Sequence, residues 1–130
     1  MIIKLPLLCR SKKNSQEYVI NPRTHKPMIV QSKLYYQFER DCGYFLKKYA
    51  RHIDYPINLK CTFIVPNRRR RDLCNLLEAI QDILVKYGVI VDDNSEIVAS
   101  VDGSRIIYEK GREETIIEIE EVTNANNNAR

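Results

Sequence analysis

Residues 66–80, PNRRRRDLCNLLEAI, run four consecutive arginines into an aspartate, and the aspartate into a stretch with helical periodicity. Guanidinium forks such as those of Arg68, Arg69, Arg70 and Arg71 match phosphate geometry and neutralise backbone charge without reading sequence. The run reads as an extended entry to a helix, so alternate side chains point opposite ways and two of the four face any one groove. Lys12 and Lys13 extend the same footprint. Asp72 stands where an N-cap belongs, accepting backbone N–H groups at the positive end of a helix dipole. The same carboxylate is also placed to do chemistry beside the arginines.

More oxygen donors follow. At 100° per residue Asn75, Glu78 and Asp82 share one polar stripe opposite the leucines, with no basic residue until Lys86. Glu78 and Asp82 at i,i+4 repel, and either nearby arginines or a cation must offset them. Asp92-Asp93-Asn94 follows the apolar piece VIV and reads as a surface turn. A loop leaving a helix can also return towards the start of the strand layer, close to Asp72. Groupings of Asp, Glu and Asn oxygens suit Mg²⁺ or Mn²⁺ rather than zinc. Metal ions held by acids, with arginines alongside, are the usual apparatus for hydrolysing a phosphodiester.

Charge along the chain agrees with a polyanionic partner. Residues 1–71 hold 16 Lys/Arg against 4 Asp/Glu, a net +12; residues 72–130 hold 5 against 13, a net −8. Such asymmetry between halves points to nucleic acid unless folding interleaves the halves. An RNA-binding module is disfavoured, because the aromatic residues are dispersed or fall on helix faces rather than on a strand platform. The four cysteines, Cys9, Cys42, Cys61 and Cys74, form no CxxC pair, which fits reduced thiols, two of them core filler. With no run of ~20 apolar residues and no signal-peptide h-region at the N-terminus, a soluble cytoplasmic protein is expected.

These residues must be positioned by elements that the pattern makes legible. Residues 1–5 read as a strand ended by Pro6, and residues 9–31 as a long loop or loose hairpin. Residues 32–52 read as a helix capped by Ser32, with Leu34, Tyr35, Phe38, Cys42, Phe45 and Tyr49 as its apolar stripe. Residues 57–65 alternate as a strand with one covered face. A second helix spans 73–87, with Leu73, Leu76, Leu77, Ile80, Ile83, Leu84 and Tyr87 inward and Gly88 ending it. Residues 97–109 and 114–122 are β-rich, joined by a turn-like KGRE, and Asp102-Gly103 is either a bulge or a turn that splits the first of them. The passage from residue 57 to about 101 can be a crossover joining parallel strands. The expected fold is α+β: one domain, a mixed sheet of about four strands, and two helices packed on one face. A single domain over 1–122 leaves an apolar-poor tail, 123–130, expected to be disordered.

RRRRDLxNL, then an amphipathic helix, a glycine, a short apolar piece and Asp-Asp, together resemble the RusA family of Holliday-junction resolvases. The likeness runs from the N-terminal strand and its basic loop to a final β-hairpin and is strongest over residues 65–100. The resemblance implies a homodimeric, Mg²⁺-dependent endonuclease that cuts four-way DNA junctions by paired symmetric nicks, a family common in phages, acting in recombination and repair. Of the family's three acidic positions, the first falls on Asp72 and the third on Asp93, with Asp92 beside it. The second falls on Cys74, a poor ligand for a hard cation. A lysine that contributes to catalysis in the family falls on Glu78. Glu78 lies one turn beyond Cys74 and can replace the lost acid, so the expected ligands are Asp72, Asp93 and Glu78 with Asp92, while Asn75 and Asp82 orient them. If Glu78 does not take that place, the chain is an inactive junction- or duplex-binding protein.

Overall fold

A computed structural model of the chain describes residues 1–12, 16–31 and 33–123. Lys13, the cap expected at Ser32 and the tail from 124 onward lie outside the described residues. The elements in chain order are β1 (Ile2–Leu5), β2 (Gln16–Ile20), β3 (Pro27–Gln31), α1 (Lys33–Leu46) with a 3₁₀ turn (Lys47–Tyr49), β4 (Ile57–Val65), α2 (Leu73–Lys86), β5 (Val98–Ser100), β6 (Arg105–Tyr108) and β7 (Glu114–Glu121).

Alternation along β4 makes it the central strand. On one side β7 pairs with it antiparallel, from Ile57 opposite Glu121 to Ile64 opposite Glu114. On the other side β5 and β6 pair with it in succession, both parallel. β1 completes the sheet, antiparallel to β7. The five strands therefore make a mixed sheet four strands wide, in the order β1-β7-β4-β5 with β6 beyond β5 on the same edge of β4. Residues 9–31 contribute a separate two-stranded hairpin, β2 with β3, so the hairpin alternative is the one realised.

Two expectations about the C-terminal strands resolve differently. Asp102-Gly103 is a turn that splits the strand into β5 and β6. Asn58 on β4 holds that turn: its Nδ2 donates to the Asp102 carbonyl at 3.2 Å, and its Oδ1 accepts the Asp102 amide at 2.9 Å. The expected final hairpin does not form, because β6 and β7 flank β4 on opposite sides. The KGRE segment instead passes over the C-terminal end of β4, where the Glu109 amide donates to the Val65 carbonyl at 3.0 Å.

Both helices cover one face of the sheet. Ile3 and Leu5 of β1, Ile57, Leu59, Cys61 and Phe63 of β4, and Ile117 and Ile119 of β7 share that face and form one buried cluster with the helices. α1 contributes Tyr35, Phe38, Cys42 and Leu46 at helical spacing, while Leu34, expected inward, is 59% exposed. α2 contributes Leu76, Leu77, Ala79, Ile80, Ile83 and Leu84. Where the helices approach, Gly43 leaves room for Tyr87: a Cβ at Gly43 would overlap the Tyr87 ring. Cys9, Cys42 and Cys61 are all buried free thiols, one more than expected, and Cys74 is exposed.

α2 starts and stops as its sequence dictates. Asp72 caps it, Oδ1 accepting the Asn75 amide at 3.2 Å. At the other end Gly88 adopts φ +75°, its amide donating to Val85 and the Val89 amide to Leu84 at 2.9 Å, a Schellman closure. Residues 88–91 are then pinned to the 52–53 segment through His52 N to Gly88 O, Ile53 N to Val89 O and Val91 N to Ile53 O. This closure fixes where the Asp92-Asp93 turn must emerge. No helix among the described residues is long and apolar enough to cross a membrane.

Candidate active site and basic cleft

The arginine run is not a simple extended strand. Arg71 folds back, its Nη1 donating to the Asn67 and Arg69 carbonyls at 3.0 and 3.2 Å and its Nη2 to Asn67 Oδ1 at 3.0 Å. The Arg69 amide also donates to Asn67 Oδ1, so one asparagine side chain organises the loop. Arg68 lies over the ring of Tyr108 at 4.4 Å, a cation–π contact that ties the loop to the end of β6. Arg69, Arg70 and Arg71 therefore line one cleft, where alternation had put two arginines in any one groove. Arg10 closes its other side. Burial, and then the neighbouring charge of Arg69, push the Arg71 guanidinium down from its ordinary value, and Glu113 pulls it back.

Arg10 was not singled out from the sequence. It sits in a different segment, and only the pairing of β1 with β7 carries residues 7–11 back across the N-terminal end of α2. Two hydrogen bonds show that return: Thr115 Oγ1 donates to the Leu7 carbonyl at 2.9 Å, and Cys9 Sγ contacts the Leu76 carbonyl at 3.8 Å.

The acids are arranged along α2 and the turn after it. Asp72 is exposed and engaged as a cap. Asp82 lies ten residues further on, about 15 Å along the helix axis. Lys12 reaches Asp82 Oδ2 at 3.1 Å and also lines a narrow cavity with Ser11, Asn75, Glu78 and Ala79. It is thus a lysine from the loop before the hairpin, rather than an arginine, that offsets the repulsion expected between Glu78 and Asp82. Cys74 is exposed on the first turn of α2.

In the turn, both carboxylate oxygens of Asp92 are used internally: Oδ1 accepts the Asp93 amide at 2.7 Å and Oδ2 the Asn94 side-chain amide at 3.1 Å. Asn94 Oδ1 accepts the Glu96 amide at 2.9 Å and completes the turn. Asp92 therefore shapes the loop that presents Asp93. Partial desolvation, the hydrogen bond with Asp92 and then the charge of Asp82 raise the Asp93 carboxyl above its usual range. Asp82 is the α2 acid whose charge is felt at Asp93, a coupling the helical stripe did not reveal. Among the described residues no group of three or more His, Cys, Asp or Glu is gathered closely enough to hold a metal ion.

No protein-family model matches the chain. Over 67 residues it is 45% identical to a protein named Crossover junction endodeoxyribonuclease RusA from Aquifex aeolicus (strain VF5). The match covers 52% of this chain, which spans about half, 51%, of the length of that relative. Over about half of its length the chain is thus similar to a RusA protein.

Proposed function

We propose that this chain is a metal-dependent, structure-selective DNA endonuclease that resolves four-way junctions by paired symmetric nicks. In this reading it works as an intracellular homodimer on branched DNA, one cut per subunit, in recombination, repair or phage DNA processing. The observation that carries the reading is the continuity of the basic loop with α2: the arginines end at Asp72, and the same helix leads through Asn75 and Glu78 to Asp82, whose charge is felt at Asp93.

The donor set fits a hard divalent cation, Mg²⁺ or Mn²⁺, in its chemistry: its groups are exposed carboxylate oxygens. Such an ion, once bound, supplies an activated water and stabilises charge on the phosphate. Asp93 is the acid we assign to direct ligation, with Asp72 and Glu78 as its expected companions, and the charge of Asp82 is felt at Asp93. Asp92 fixes the turn that presents Asp93, and Asn75 and Lys12 orient Glu78 and Asp82. Arg68, Arg69, Arg70 and Arg71 hold the DNA backbone by charge-assisted hydrogen bonds, which position the strand without reading its sequence.

A synthetic four-way junction incubated with Mg²⁺ or Mn²⁺ tests this. Wild type should nick it symmetrically, Asp93→Asn should bind without cutting, and Cys74→Asp should cut at least as fast as wild type. Binding without any nick by wild type would replace this reading with that of a junction- or duplex-binding protein. The exposed thiol of Cys74, standing where the RusA resemblance expects an acid, is the observation that favours this second reading. Cleavage undiminished in Glu78→Ala would remove Glu78 from the ligand set and leave the enzyme reading standing.

A further inference from the structure

We infer that the cleft between residues 8–11 and 69–71 is a seat for a single phosphate monoester, the phosphorylated end of a nucleic-acid strand. The inference rests on the nucleic-acid reading above but not on catalysis.

The cleft measures about 140 Å³, with Arg10, Ser11, Arg69, Arg70 and Arg71 along its rim and Leu76 in its wall. That volume is ample for a phosphoryl group. Four arginines line this volume, and among the described residues no Asp or Glu does. The nearest acid named by the electrostatics is Glu113, which attracts Arg71 from outside the lining. Gathering four like charges around one small space is unfavourable unless an anion shares it. A backbone diester brings one negative charge, whereas a terminal monoester brings about −1.5 to −2 at neutral pH and three accepting oxygens. The higher charge is the better match.

The walls are also set in advance. Arg71 is held by its bonds to Asn67 and Arg69, Cys9 contacts the Leu76 carbonyl, and Leu7 is anchored by Thr115. A seat whose donors are already oriented loses little conformational entropy when the anion arrives. Arg71 directly precedes Asp72, so the seat adjoins the start of the acid-bearing helix.

The test is a binding measurement in metal-free buffer with short single strands of one sequence, carrying a 5′-phosphate, a 3′-phosphate or hydroxyls at both ends. One of the phosphorylated strands should bind about tenfold or more tightly than the hydroxyl strand, the range of a charged hydrogen bond. Inorganic phosphate should compete for that increment alone. Arg10→Gln should abolish the increment, and so should Arg70→Gln, an exposed position whose variant keeps the decision available if the first one unfolds. Lys47→Gln, a charge change on the 3₁₀ turn, should retain it. Equal affinity for all three strands overturns the seat, as does an increment that survives Arg70→Gln in the folded protein. These outcomes are separate from the junction assay: a chain that never nicks a junction could still prefer a phosphorylated end, and one that nicks could fail to.

Discussion

At the scale of single residues, Asp93 and Lys12 carry the argument. Asp93 is raised by desolvation, by Asp92 and by Asp82, so its proton is held more tightly in the folded chain than in the unfolded one. The raised value means a stability contribution fully present below the ordinary carboxyl value of 3.8 and lost as pH rises through the folded value. Asp93→Asn should therefore stabilise the metal-free protein at pH 7, by no more than about 0.5 kcal/mol for an exposed site, and the gain should vanish below pH 3.8. Urea midpoints at the two pH values check it; a gain that persists in acid contradicts the electrostatic cause. Lys12 and Asp82 form a half-exposed pair, so Lys12→Met should cost about 0.2–1 kcal/mol. A double-mutant cycle with Asp82→Asn should show that the two losses are not additive. Asp72 and Asp93 were both legible from the sequence as residues with chemical potential. The coupling of Asp93 to Asp82, and the use of Asp92 within its own turn, were not. Side-chain hydrogen bonds two residues apart and charges across a loop leave no periodic trace.

At the scale of elements, α1 and α2 were readable because each buries one stripe, and the ends of α2 obeyed capping chemistry at Asp72 and Gly88. Gly43 was read as a helix-weakening residue, yet it is the place where Tyr87 crosses α1. Gly43→Ala would gain about 1 kcal/mol of helix propensity, but the added methyl meets the Tyr87 ring, and overpacking costs typically 1–3 kcal/mol. We expect net destabilisation by chemical denaturation, relieved when Tyr87→Leu is combined with it; a stabilised single variant would show that the ring moves aside freely. The β strands were less legible. Residues 105–108 and 114–121 carry the pattern of a hairpin, and KGRE is a fair turn, but the alternation within a strand says nothing about which neighbour it chooses. β4, buried on both faces over residues 61–65, is the strand that attracts both. The same limit hid Arg10: its placement against Arg69 depends on a strand pairing, not on spacing.

At the scale of the molecule, the opposed charges of the two halves are only partly interleaved. Lys12 meets Asp82, Lys60 meets Glu118 at 3.6 Å, and Lys86 meets Glu39, whereas Arg112 is taken by Glu109 and Glu114 of its own half. Among the described residues the arginines of the 68–71 loop are in none of these pairs. Binding to duplex or junction DNA should consequently weaken steeply with salt, and each arginine replaced in that loop should reduce the logarithmic slope by about 0.9. A slope unchanged by Arg69→Gln would remove that residue from the backbone contacts. The place of β7 in the sheet has a further consequence, for the order in which the molecule can be built. Residues 115–118 pair with residues 2–5 while the same strand flanks β4, so β1 lacks this neighbour until β7 has been synthesised. A nascent chain on the ribosome can form its helices early but cannot complete its sheet, and a chain cut short before residue 114 leaves β1 without its partner and β4 with an open edge.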